Sequence, residues 1–310
     1  MKVIPPLTID DVIFLAASST GSEPAADEIA YNSVSNYPLG AVVISATAHR
    51  KYESLQANNS GHALPVLPET ENDWWLDVGP TNRWAMFDLF RNTTTLQVSP
   101  LQVFLEPGKR INSVALLGID ADEYRVLVYD GPGGSIIYNT DYVDLSTRVV
   151  VDWYAYFFDE FSFKNSVILT DLPPNVNAIL QIEFLRTDGY CSCAGVAIGS
   201  YVDLGKTQYN AESDVLNFST VERDIFGNSN LVQRRSLPKT VQTVIAPKSY
   251  LENIRAIRTM LNAVPAVWFG IDDTDHEFFE ALLICGYYRK FSISLARPEQ
   301  VISTLELEEI

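Results

Sequence analysis

From residue 76 to residue 210 apolar and polar positions alternate in short runs broken by turn residues, a pattern of period two that predicts strands. The runs fall at 111–117, 124–129, 135–138, 154–163, 166–169, 179–185 and 195–202. In one of them Leu180, Ile182 and Phe184 alternate with Gln181 and Glu183, which predicts a sheet with one apolar face. Asp130-Gly131-Pro132-Gly133-Gly134, Pro173-Pro174-Asn175 and Asp188-Gly189 supply turns between runs. Seven short strands at this spacing predict a β-sandwich.

The flanking segments read differently. Residues 1–30 start extended around Pro5-Pro6 and pass into a small, polar linker at 18–27. Residues 31–75 predict a small unit built on a hairpin of strands 41–44 and 51–55, followed by the turn Asn58-Asn59-Ser60-Gly61. Residues 211–310 mix both periods. Stretches 218–224 and 231–245 read as extended. Ser249 and Glu252 form a capping box that opens a helix with Leu251, Ile254, Ile257 and Leu261 on one stripe. Thr274 and Glu277 form a second box, predicting a short helix through Phe278, Phe279, Leu282 and Leu283 with Gly286 as its C-cap. Strands are expected at 267–271, 288–295 and 301–307. At 310 residues the chain exceeds the roughly 250–300 at which single cores stop growing. The expectation is a mainly β protein in four segments: 1–30, 31–75, 76–210 as the sandwich, and an α+β part at 211–310.

Charge narrows the function. The net charge of −17 is the wrong sign for neutralising phosphate, and Arg234-Arg235 with Lys239 form the only dense basic cluster. Nucleic acid is therefore not an expected partner. No run approaches the ~20 apolar residues of a membrane helix, and Asp10-Asp11 ahead of the apolar run 12–17 is unlike a signal peptide. Membrane insertion is not expected. Cys191, Cys193 and Cys285 have no zinc or redox spacing and read as reduced structural thiols. Asp272-Asp273-Thr274-Asp275 lacks the remaining ligands of a calcium loop, and Asp120-Ala121-Asp122-Glu123 reads as a solvated turn. No metal and no cofactor are expected. The sequence contains no nucleophile elbow, zinc-protease, phosphate-loop or dinucleotide motif. Asp159 and Glu160 are adjacent, so on a strand they point to opposite faces and do not pair for glycoside hydrolysis. The reading is a non-enzyme.

Aromatic residues are the informative side chains. Trp74, Trp75 and Trp84 surround Gly79-Pro80, read as a turn, and Arg83 is placed to pair with Asp77 or Asp88. Trp153, Tyr154, Tyr156, Phe157 and Phe158 crowd one stretch; on a strand Trp153 and Phe157 face one way, Tyr154, Tyr156 and Phe158 the other. One set then fills the core and the other meets a partner. Flat amphipathic rings suit sugar faces and protein interfaces alike. The candidate carbohydrate contacts are Tyr37, Tyr52, Trp74, Trp75, Trp153, Tyr154 and Tyr156.

Two resemblances add to this. Tyr31, Tyr37, Gly40, Val43, Tyr52, Asn58, Gly61, Pro65 and Trp74 or Trp75 form a pattern that resembles the small chitin-binding-type carbohydrate modules. The run from Trp74 through Gly79, Pro80, Arg83 and Trp84 to Asp88 resembles a segment of tail-tip and tail-appendage proteins of tailed bacteriophages. There it precedes a galactose-binding-like β-sandwich, or jelly roll, and 195–205 looks like that sandwich's last strand. The stretch from Phe218 through Glu222, Arg223 and Asp224 to Leu307 resembles the end of the same proteins. The resemblance implies a structural virion protein of the tail tip or baseplate, assembled in a host cytoplasm. It implies docking to other tail proteins, a homo-oligomer such as a ring or trimer, and contact with a host-surface glycan. A stand-alone carbohydrate-binding adhesin is the alternative, and a glycan-degrading enzyme the remote one.

Overall fold

A computed structural model describes residues 1–25, 28–147, 153–158, 162–223 and 226–310. The chain is mainly β, in several antiparallel sheets. Two of them face each other as a sandwich. One holds Leu101–Leu105, Ile179–Leu185 and Glu123–Tyr129 in that order, with Ile136–Asn139 and Val143–Asp144 both pairing with Glu123–Tyr129. The other runs Ser166–Leu169, Ser113–Asp120, Tyr190–Gly199, Thr95–Val98. Leu180, Ile182 and Phe184 bury fully between them, as the alternation predicts. Gly118 resets that alternation on the facing strand. Its φ of +59° lets Val114 and Leu116 before it and Ile119 and Ala121 after it reach the same core. The expected turn at Asp130 forms, with the Asp130 carboxylate accepting from the Ser135 amide at 2.8 Å.

The second sandwich sheet is buried on both faces. Its outward residues Ala115, Leu117, Ile168 and Ala197 pack against Ile4, Val267, Phe269, Leu283 and Cys285 of a larger sheet. That sheet runs Val202–Asp203, Lys2–Ile4, Ala266–Phe269, Leu283–Ser294, Gln300–Glu309, Ser236–Pro247, Lys206–Thr207, with Glu212–Asn217 also on Ser236–Pro247. The helix Leu251–Met260 covers its far side, and Ile254, Ile257 and Leu261 meet Trp268, Leu305 and Leu307. The layers are therefore sheet, sheet, sheet and helix. Lys2–Ile4, expected as extended, is an interior strand of the sheet built from the far end of the chain, and Val202–Asp203 joins it ahead of residue 211.

Three local expectations are corrected. The second capping box opens no α-helix: a single 3-10 turn at Glu280–Leu282 leads into the strand Leu283–Ser294. Pairing on both sides, to Ala266–Phe269 and Gln300–Glu309, outweighs the capping signal. Gly286 accordingly lies inside that strand. The first box does open a helix, but Tyr250 is the N-cap and makes no side-chain capping bond. The expected strand 154–163 is instead a helix, Trp153–Phe158, followed by the two-residue strand Ser162–Phe163.

Candidate functional site

The small unit is a three-stranded sheet of Val42–Ser45, Arg50–Ser54 and Trp75–Pro80. Gly79-Pro80, expected as a turn, ends its third strand, which carries the unit across the boundary placed at residue 75. Tyr37, Val43, Tyr52 and Trp75 form its core. Trp75 is fully buried, edge-on to Tyr37 at 5.4 Å, and its indole N–H donates to the His62 carbonyl at 3.0 Å. Three of the candidate sugar contacts, Tyr37, Tyr52 and Trp75, are therefore packing residues with no face open to a ligand. With fewer than fifty residues to supply a core, the unit uses its largest side chains for that purpose. Trp74 is half-buried and lies flat on His62, ring centroids 3.6 Å apart. Asp77 pairs with Arg50 at 2.5 Å, not with Arg83. The Arg83 guanidinium lies over the Phe14 ring and donates to the Gly21 carbonyl at 2.8 Å.

The remaining candidates lie on the helix Trp153–Phe158. Trp153 is 79% exposed and Phe157 66%, with Tyr154 and Phe158 between these values. Helical spacing brings Trp153 beside Phe157, 6.4 Å apart and nearly parallel, and Tyr154 beside Phe158 at 5.0 Å. Tyr156 belongs to the helix; its side chain, like Asp159 and Glu160, lies outside the described residues. Ser146–Thr147 pairs with Ser162–Phe163 as a two-residue antiparallel ribbon on either side of the helix in sequence. In sequence the helix falls between Val143–Asp144, at one edge of the first sandwich sheet, and Ser166–Leu169, at one edge of the second.

A second exposed apolar surface lies outside the aromatic candidates. Thr220–Arg223 and Ser229–Val232 form a hairpin beyond the large sheet, with Val221, Phe226, Leu231 and Val232 exposed. Its alternation of Val221 with Glu222 and of Leu231 with Asn230 marks strands, but nothing local tells a core-facing residue from a displayed one.

The charged runs are structural. Asp272 pairs with Lys2 at 2.9 Å and Asp275 with Lys164, so the two acids serve different partners. Asp120 and Asp122 both bind Arg186, and Asp122 also accepts from the Thr187 amide at 2.9 Å. Among the described residues no group of three or more His, Cys, Asp or Glu side chains is arranged to hold a metal ion. The three thiols are buried and unpaired with one another. Burial pushes Cys193 and Cys285 up to about 12, and Cys191 also upward. No helix of the described residues is long and apolar enough to cross a membrane. No family model, curated protein or solved structure matches the chain.

Proposed function

We propose that this chain is a non-enzymatic structural protein of a tailed-bacteriophage tail tip or baseplate that contributes to host-surface attachment. The single observation that carries the attachment role is the display of Trp153, Tyr154, Phe157 and Phe158 on one short helix. Four large aromatics facing water cost free energy in an isolated chain and fit a partner surface. In this reading residues 95–199 are a galactose-binding-like jelly roll, and the large sheet with its helix is an α+β docking domain. The exposed hairpin around Phe226 supplies contacts to other tail proteins or to further copies. The small unit keeps a carbohydrate-module-like build while its aromatics serve as core. The tail assignment itself draws support from the sequence resemblance of the run Trp74 to Asp88 and of the stretch beginning at Phe218.

The test has two parts. Labelled antibody against the chain should decorate one end of the tail on intact particles; finding the chain only free in infected cells rejects the tail assignment. Purified protein should bind host-envelope polysaccharide, and a Trp153→Ala/Phe157→Ala variant with unchanged thermal unfolding should lose that binding. Equal binding by the variant rejects the helix as the attachment surface. Binding by a chain found on no particle would instead favour the stand-alone adhesin.

A further inference from the structure

At one edge of the large sheet the chain steps off its neighbour and rejoins it, and the step opens a cleft of about 460 Å³. Lys206 and Thr207 pair with Ile245 and Val244, Tyr209 and Asn210 turn, and pairing resumes from Glu212 to Val241. Residues 207–213 supply one wall and 270–282 the other. Two hydrogen bonds tie these segments together. Thr207 Oγ1 donates to the Gly270 carbonyl at 2.8 Å, and Gln242 Nε2 to the Leu282 carbonyl at 3.1 Å. Phe279 is buried against the sandwich, whereas its neighbour Phe278 stays 57% exposed and joins Ile271, Ala281 and Leu282 in an apolar wall. The cleft is thus formed before any occupant arrives.

We propose that this cleft binds a small soluble organic cation, an ammonium group carried on an apolar body. Aromatic faces attract such cations. Phe278 lies 5.4 Å from the His276 ring, and the fully exposed Tyr209 stands on the opposite wall. His276 Nδ1 accepts from the Phe278 amide at 3.2 Å, so that nitrogen holds no proton. No lysine or arginine lines the cleft. Acids set the sign of the local field. Asp272 and Asp275 are engaged by Lys2 and Lys164, but the exposed Asp273 and Glu277 have no ion pair among the described residues. Both lie within about 10 Å of His276 along the chain, about one Debye length at moderate salt. The same carboxylates repel an anion. A bare metal ion has no group of three His, Cys, Asp or Glu ligands among the described residues, and an apolar wall replaces none of its oxygens. A neutral apolar guest gains nothing from the acids and is the competing occupant to test. At about 30 Å³ per water the cleft holds about fifteen non-hydrogen atoms, within the range of ligand pockets. This role is separate from the attachment proposed for the helix Trp153–Phe158.

The experiment titrates methyl-labelled full-length protein with choline chloride and follows the Ile271 and Leu282 methyls by NMR. The comparisons are 3,3-dimethyl-1-butanol, the uncharged isostere of choline, and sodium chloride. Saturable shifts of both methyls with choline are expected, with the alcohol binding about fivefold more weakly, the size of one exposed cation–π contact. Phe278→Leu keeps the wall apolar and removes the ring face, so it should weaken choline by about the same factor and leave the alcohol unchanged. Asp273→Asn/Glu277→Gln should weaken choline at low salt but not at high salt. Both variants alter exposed positions and should unfold at the wild-type temperature; if one fails to fold, the other carries the test. No saturable shift with choline, equal binding of choline and the alcohol, or full choline affinity in the folded variants overturns the proposal. Phosphatidylcholine vesicles carry the same ammonium group on a surface, and sedimentation of the protein with them would overturn the assignment to a soluble cation. Trp153→Ala/Phe157→Ala protein should bind choline as wild type does, which separates a failure here from a failure of the attachment surface.

Discussion

Arg125 and Glu183 face each other across adjacent strands on the outer face of the sandwich, with the guanidinium Nη2 2.5 Å and Nε 3.1 Å from the same carboxylate oxygen. Gln102 donates to the other oxygen at 2.6 Å and the Tyr142 hydroxyl to the first at 2.9 Å. Burial by itself would raise the Glu183 carboxyl, but these hydrogen bonds and the Arg125 charge together hold it below the usual range. A depressed acid stabilises the fold above its unfolded-state value and loses that contribution as pH falls through the folded one. Arg125→Ala should therefore cost on the order of 3 kcal/mol at pH 7, since it strands a buried carboxylate. The penalty should shrink in acid below the unfolded-state value, as measured by urea denaturation at several pH values.

Glu309 has the opposite sign. It is buried, one of its oxygens has no hydrogen-bond partner among the described residues, and Arg91 approaches only to 3.6 Å. Burial raises its carboxyl, and Arg91 and Arg235 pull it down by less. A raised acid favours the fold in its protonated form, so stability is lost as pH rises from the unfolded-state value through the folded one. Glu309→Gln should stabilise the fold at pH 7, because the amide places no charge in the buried site. The gain should vanish at low pH, where wild type is protonated too; a pH-independent effect would point to another cause.

Trp75 and Trp153 lie at opposite extremes of exposure and carry different mutational costs. Trp75→Ala empties the core of the small unit and should destabilise that unit by about 3–5 kcal/mol. Trp153→Ala, at an exposed position, should stay within about 0.5 kcal/mol of wild type. Thermal unfolding of the two variants side by side checks both.

Gly286 sits where the strand Leu283–Ser294 crosses Gln300–Glu309 so closely that a β-carbon would come within 2.0 Å of the Glu308 carbonyl oxygen. Backbone on the far side cannot yield as a flexible side chain would. Gly286→Ala should cost about 3 kcal/mol or more, readable as a lowered denaturant midpoint or loss of folded protein.

The thiols give a chemical check on the packing. With Cys193 and Cys285 pushed up to about 12 by burial, neither is thiolate near neutrality. Iodoacetamide at pH 8 should leave both unmodified in native protein and label them in urea. Labelling of either in native protein would contradict the burial.

Some strand positions in the sandwich are legible because a local pattern names its own buried face, whereas Thr95–Val98 and Leu101–Leu105 lie outside the expected strands and the expected strand 154–163 became a helix at Trp153–Phe158. Leu180, Ile182 and Phe184 alternate with Gln181 and Glu183, and that alone places the first three inside. The stripe Ile254, Ile257 and Leu261 told the same of the helix Leu251–Met260. Residue type marks the aromatic candidates as a class but does not separate the display of Trp153 from the burial of Trp75.

Local pattern alone specifies a mainly β chain, the turn at Asp130, the helix Leu251–Met260 and the apolar side of strands such as Ile179–Leu185, because these depend on neighbours two to four positions away. Long-range packing fixed which surface covers each apolar face. It placed Lys2–Ile4 between Val202–Asp203 and Ala266–Phe269, made 283–294 a strand despite its capping signal, and turned 153–158 into a helix that displays its rings. Each of those outcomes depends on contacts or exposure set by residues far away in the chain, and no local period encodes a partner at that distance.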